Sequence, residues 1–227
     1  MAKRTACQLL VAVLTLVLSA CGQAPARSAV AAPSSTVAAS PSPSLSASAS
    51  PVDLVALSAR IKRAVVPANG LRSLGAGAPH EDGAGKWAVT TQCNSGLPSD
   101  RQLEASYMRS WKTSRGIIQS FVHGYTSTTG AQVVNEVRNL DGTCKSYRLS
   151  DENVDRRVLG QYTTKQPAGI TGFYAYCEQA AQVFLCFGFL GYDTLVAVVV
   201  SVGYNFANAK ADLDQVLTIA ATRLTQA

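Results

Sequence analysis

The sequence predicts an α+β domain: a central, mainly antiparallel sheet with helices packed on it and two disulfides, carried behind an export leader. Three observations point there. In the C-terminal third, the apolar segments 170–177, 182–189 and 193–203 are separated by turns too short for a crossover, so they pair as antiparallel neighbours. An amphipathic segment follows over 208–224, with Leu213, Val216, Leu217, Ala220 and Leu224 on one face. Four cysteines (Cys93, Cys144, Cys177 and Cys186) remain once Cys7 of the leader and Cys21 just after it are set aside, an even number in an oxidising compartment.

The leader comes first in the chain. Lys3 and Arg4 precede an apolar run from Leu9 to Leu18, which is too short for a membrane span, and Leu18, Ser19 and Ala20 then lead into Cys21. This is the pattern of a bacterial lipoprotein signal peptide over 1–20. Cys21 is expected to be lipidated, by palmitate or a similar acyl chain, and to become the mature N-terminus on the extracytoplasmic face of the cell membrane. Segment 21–51 is dominated by Ala, Ser, Pro, Val and Thr, with Arg27 its only charge and no aromatic residue. It cannot bury enough surface to offset the entropy of ordering, so it reads as a tether with a reach of about 30 Å. One domain, 52–227, follows. Lys3 and Arg4 leave with the leader, so the mature chain keeps 18 basic against 14 acidic residues. That mild, scattered positive charge gives no reason to expect nucleic acid as a partner.

Each element of the domain has its own warrant. Over 53–65, Leu54, Leu57, Ile61 and Val65 recur at helical spacing behind Asp53 as N-cap, and Pro67 ends the helix. Segment 68–85, rich in Gly and Ala, reads as a loop with a turn at Pro79 to Gly83. Segment 86–93 reads as a short strand. Segments 103–112 and 116–125 read as two strands joined by a turn near Thr113, Ser114 and Arg115. On the first, Leu103, Ala105, Tyr107 and Trp111 alternate with polar residues. Segment 127–140 turns helical, with Ala131, Val134 and Val137 in one stripe and a Thr or Ser cap. The charged segment 150–166 reads as a rim or loop. Residues 183–187 and 195–200 are apolar without alternation, which predicts central strands covered on both faces.

In this order of parts the domain resembles the PknH-like extracellular sensor domain family of actinobacteria, in a free-standing lipoprotein form. The resemblance covers 87–227. It rests on the four cysteines, the helix ahead of Cys144, the hairpin-like interval from Cys177 to Cys186, and the valine-rich strand and terminal helix after it. Four cysteines allow three pairings, and spacing alone does not choose among them. The resemblance implies Cys93 with Cys144 and Cys177 with Cys186, and a cleft that receives an unknown extracellular ligand. Unlike the kinase-linked members, this chain carries no kinase domain.

Chemistry-bearing motifs are sparse. His80 sits in a Gly-rich loop beside Glu81 and Asp82, and His123 sits near a strand end with no G-x-S-x-G elsewhere. No C-x-x-C spacing occurs and the histidines lie far from any cysteine pair, so no metal site, cofactor or catalytic residue is expected. Asp151 with Glu152 reads as loop charge, and Asp212 with Asp214 as first-turn helix charge. The candidate ligand contacts are Tyr107, Arg109 and Trp111 on one strand, and Phe121, His123 and Tyr125 on its neighbour. If the two faces coincide they form an aromatic surface with two polar handles. The reading is therefore a lipid-anchored extracytoplasmic sensor or ligand-binding module that is not an enzyme, its partner an extracellular small molecule or envelope protein. The alternatives are a protein–protein interaction or scaffolding lipoprotein and, behind it, a cryptic hydrolase.

Overall fold

A computed structural model describes residues 53–149 and 154–227. The leader, Cys21 and the tether lie outside the described residues, as do Asp151 and Glu152. In chain order the elements are α1 (Leu54–Ala64), β1 (Glu81–Gly85), β2 (Leu103–Thr113), β3 (Gly116–Tyr125) and α2 (Gly130–Asn139). Then follow β4 (Ser146–Arg148), β5 (Asp155–Gln161), β6 (Gly172–Ala180), β7 (Val183–Tyr192), β8 (Leu195–Gly203) and α3 (Phe206–Thr225). The described strands form one antiparallel sheet in the order β1-β2-β3-β8-β7-β6-β5-β4, with two disulfides: the expected α+β fold.

Each helix starts where its sequence supplies an oxygen for the orphan amides of the first turn. Asp53 Oδ1 accepts from the backbone N–H groups of Val55 and Ala56, Thr129 Oγ1 from Gln132 and Asn205 Oδ1 from Asn208. Helices α1 and α3 lie on one face of the sheet, over a core that includes Trp111, Ile118, Val122, Leu190 and Val199. Helix α2 lies on the other, over Tyr125, Tyr174, Phe189, Val196 and Val198. Strand β8 sits between β3 and β7, with every residue from Leu195 to Val200 buried. Burial from both sides removes any reason for alternation, which is why its sequence is an unbroken apolar run.

The β6–β7 hairpin places Cys177 directly opposite Cys186, with Cα atoms 4.1 Å apart, and the two are bonded. Cys93 is bonded to Cys144 across 51 residues. At the N-terminus of α2, Gly130 donates its N–H to Asp193 O in the β7–β8 turn at 2.7 Å. A Cβ on Gly191 would stand 2.4 Å from the Gly130 carbonyl carbon, so only glycine permits this approach.

Three expectations are corrected. Residues 81–85, expected in a loop, form edge strand β1, whose order comes from backbone pairing with β2 and not from a side-chain pattern. Residues 86–93, expected as a strand, are irregular and end in a 3-10 turn over Gln92–Asn94, where Cys93 and Asn94 take left-handed φ values of 58° and 53°. Within 150–166, expected as a rim, residues 155–161 form β5 and pair with β6. The first-turn expectation for Asp212 and Asp214 is corrected as well: α3 begins at Phe206, both lie beyond its first turn, and Asp212 shares the inward stripe of Ala209, Leu213 and Val216, buried against Arg115.

Candidate functional site

The β2–β3 hairpin decides where the sequence-predicted ligand contacts go. Thr113 pairs with Gly116 around a two-residue turn, so odd-numbered residues of β2 face even-numbered residues of β3. Tyr107 lies opposite Val122, Arg109 opposite Ser120 and Trp111 opposite Ile118, whereas Phe121 and His123 lie opposite Met108 and Ser106. The two triads therefore occupy opposite faces of the sheet, and the joint aromatic surface does not form. A three-residue turn at Thr113, Ser114 and Arg115 would have put them together; one residue of turn length reverses the outcome.

On the α1–α3 face the first triad is tied into the core. Trp111 is fully buried and donates from Nε1 to Ala68 O at 3.1 Å. Arg109 pairs with Asp82 at 3.0 Å, donates to Val66 O at 3.0 Å, and has its guanidinium carbon 5.5 Å from the centre of the Tyr107 ring. On the α2 face the second triad divides. Tyr125 is buried in the α2 core, while Phe121 and His123 line a cavity of about 280 Å³.

That cavity occupies sheet surface beyond the reach of α2. Its floor is Phe121 and Gln119 of β3, Val198 and Val200 of β8, and Leu185 and Phe187 of β7. Its roof is the irregular segment 87–91, with the Trp87 ring edge-on to Phe121 at 5.9 Å. Arg156 of β5 closes one side. The floor was half legible, since β7 and β8 carry the right residues, but their unbroken apolar runs hide which of them face the cavity.

One buried polar group stands at the wall, and a second lies behind Arg156. His123 is 1% exposed, its Nδ1 lies 2.9 Å from Ser106 Oγ and its ring stacks on Phe121. Burial drives its pKa down to about 3, so the imidazole is neutral near pH 7. Glu178 of β6 is fully buried, 3.4 Å from Arg156, and accepts a 2.7 Å hydrogen bond from Tyr147. Burial raises the pKa of the Glu178 carboxyl above its ordinary value, against the lowering pull of Tyr147 and Arg156, and the same burial raises the Tyr147 phenol. Tyr176 OH meets Thr90 Oγ1 of the roof at 3.5 Å. Arg156 was missed from sequence because a charged strand at a sheet margin looks like solvated surface; its partner Glu178 lies 22 residues away in the chain.

The arrangement suits the enclosure of an apolar group beside one neutral imidazole. Among the described residues, no group of three or more His, Cys, Asp or Glu side chains is placed to hold a metal ion, and no helix is long and apolar enough to cross a membrane. No family model and no curated protein matches the chain. A solved structure does match: the crystal structure of the extracellular domain of PknH from Mycobacterium tuberculosis, with a TM-score of 0.53 at 10% identity, covering 78% of this chain and 98% of that one. The domain thus shares, at a distance, the fold of that extracellular domain.

Proposed function

We propose that this chain is a lipid-anchored, extracytoplasmic ligand-binding or sensor module of the cell envelope, held to the membrane through Cys21 and taking its ligand in the cavity beside Phe121 and His123. The observation that carries the reading is that cavity: an apolar floor on a rigid sheet, a roof from a separate segment and a buried imidazole at the wall. The leader and tether supply the anchor, and the distant likeness to an extracellular domain fits the same placement. Native mass spectrometry of the exported chain tests it. The expected result is an added mass that is lost on denaturation and absent from Val200→Phe, which fills the floor. A clean unliganded mass under gentle conditions would overturn it. Palmitate incorporation abolished by Cys21→Ser is the expected result for the anchor.

A second reading, a protein-binding envelope lipoprotein, is favoured by one feature. Tyr204 and Phe206 are exposed beside Phe184 at the start of α3. Crosslinking from Tyr204 to an envelope protein would support it.

A further inference from the structure

Among the described residues, the charged groups at the cavity form one ion pair. Arg156 is the charged side chain on the described lining, and the fully buried Glu178 carboxylate stands 3.4 Å from it. His123 adds no charge, because burial keeps its ring neutral near pH 7. A ligand bringing a formal charge into this space would give up its hydration and disturb a pair already matched. An uncharged ligand would do neither.

The remaining walls are mainly apolar: of their polar side chains Thr91 is exposed, Gln119 half-buried and Thr90 engaged with Gln92 N–H and Tyr176 OH, which leaves His123 as the deeply buried directional group. Phe121, Phe187, Val198 and Val200 form the floor, and Trp87 closes over it. The His123 ring is 1% exposed and lies on the wall; its Nδ1 is engaged by Ser106, and the ring makes no other hydrogen bond among the described residues. The Ser106 hydroxyl can donate to Nδ1 or accept from it, so Nε2 offers a donor or an acceptor to an occupant of the cavity.

We propose, resting on the ligand-binding reading above, that the cavity selects an uncharged, mainly apolar small molecule with one hydrogen-bonding oxygen, a hydroxyl or carbonyl, seated against His123 Nε2. A hydroxyl satisfies either imidazole tautomer; a carbonyl satisfies only the one with its proton on Nε2.

Three probes of one chain length test this on the exported chain at pH 7.5: 1-decanol, 2-decanone and decanoate. Trp87 is the tryptophan at the cavity, while Trp111 lies buried on the other face as a constant background, so tryptophan emission reports occupancy. The expected result is decanol binding at least about tenfold more tightly than decanoate, with about a tenfold loss in His123→Phe. Decanone binding as tightly as decanol assigns the donor tautomer; decanone binding only as weakly as decanoate assigns the acceptor one, and either agrees with the proposal. Decanoate binding as tightly as decanol would overturn the ligand class while leaving a ligand-binding cavity. Decanol affinity unchanged in a folded His123→Phe chain, checked by its melting curve, would overturn the role of His123. The probe series on the unaltered chain needs no variant to fold. Silence from every probe would overturn the ligand class, and the ligand-binding reading falls only if the native mass is also clean.

Discussion

Acid should weaken this fold through His123 by an amount that the structure sets. An exposed imidazole titrates near 6.5, whereas burial holds this one down at about 3. Between those values the unfolded chain binds a proton that the folded chain refuses. Protons therefore favour unfolding: the contribution is complete above pH 6.5 and is lost as the pH falls towards 3. At pH 5.0, one and a half pH units below the unfolded value, the loss is about 2 kcal/mol, at about 1.36 kcal/mol for each unit. Urea unfolding of the native chain and of His123→Phe, at pH 7.5 and pH 5.0, isolates this effect. At pH 7.5 the variant should lose about 1 kcal/mol, for the Ser106 hydrogen bond. Its further loss on going to pH 5.0 should be about 2 kcal/mol smaller than that of the native chain. Glu178, whose pKa is raised by burial, acts with the opposite sign, adding stability as the pH falls towards its ordinary value, but it is present in both chains and cancels in the comparison. Equal losses in the two chains would refute the reasoning and mean that the folded imidazole accepts its proton normally.

Removing the Cys93–Cys144 bridge as an alanine pair should cost about 4 kcal/mol and removing Cys177–Cys186 about 3 kcal/mol, because the first closes 51 residues of chain and the second 9; denaturant midpoints should fall in that order. Trp111→Ala should cost about 3–5 kcal/mol in chemical denaturation, as expected for a fully buried tryptophan, while leaving probe affinity in the folded chain unchanged. A shift in that affinity would place Trp111 at the cavity after all. Gly191→Ala should lower stability by about 1–3 kcal/mol, since its methyl carbon would collide with the backbone of Gly130, and a thermal melt reads the loss.

The sequence is most readable where one physical demand dominates a segment. Strand β8 must be apolar on both sides, and α1 must bury one stripe, so both stand out. Strand β1 lies beyond such reasoning: Glu81, Asp82, Gly83, Ala84 and Gly85 carry no pattern, and only the exposed edge of β2 makes them a strand. Alternation within β2 and within β3 correctly grouped Tyr107 with Arg109 and Trp111, and Phe121 with His123. The relation between the groups depends on register, which alternation does not encode. Arg156 and Glu178 are opaque for another reason: each looks like surface charge until the fold brings both inside.

The bridge from Cys93 has a meaning for the cavity. Thr90 and Thr91 of the roof stand two or three residues from that cysteine, and the bond fixes this end of the segment to the chain beyond α2. A roof pinned in this way is not a swinging lid. A ligand taken up under such a roof would be spared the entropy of ordering a loop. Reduction of that one bond would loosen the roof without touching a single floor residue, so under the proposed function the grip on a ligand would vary with the redox state of the surroundings.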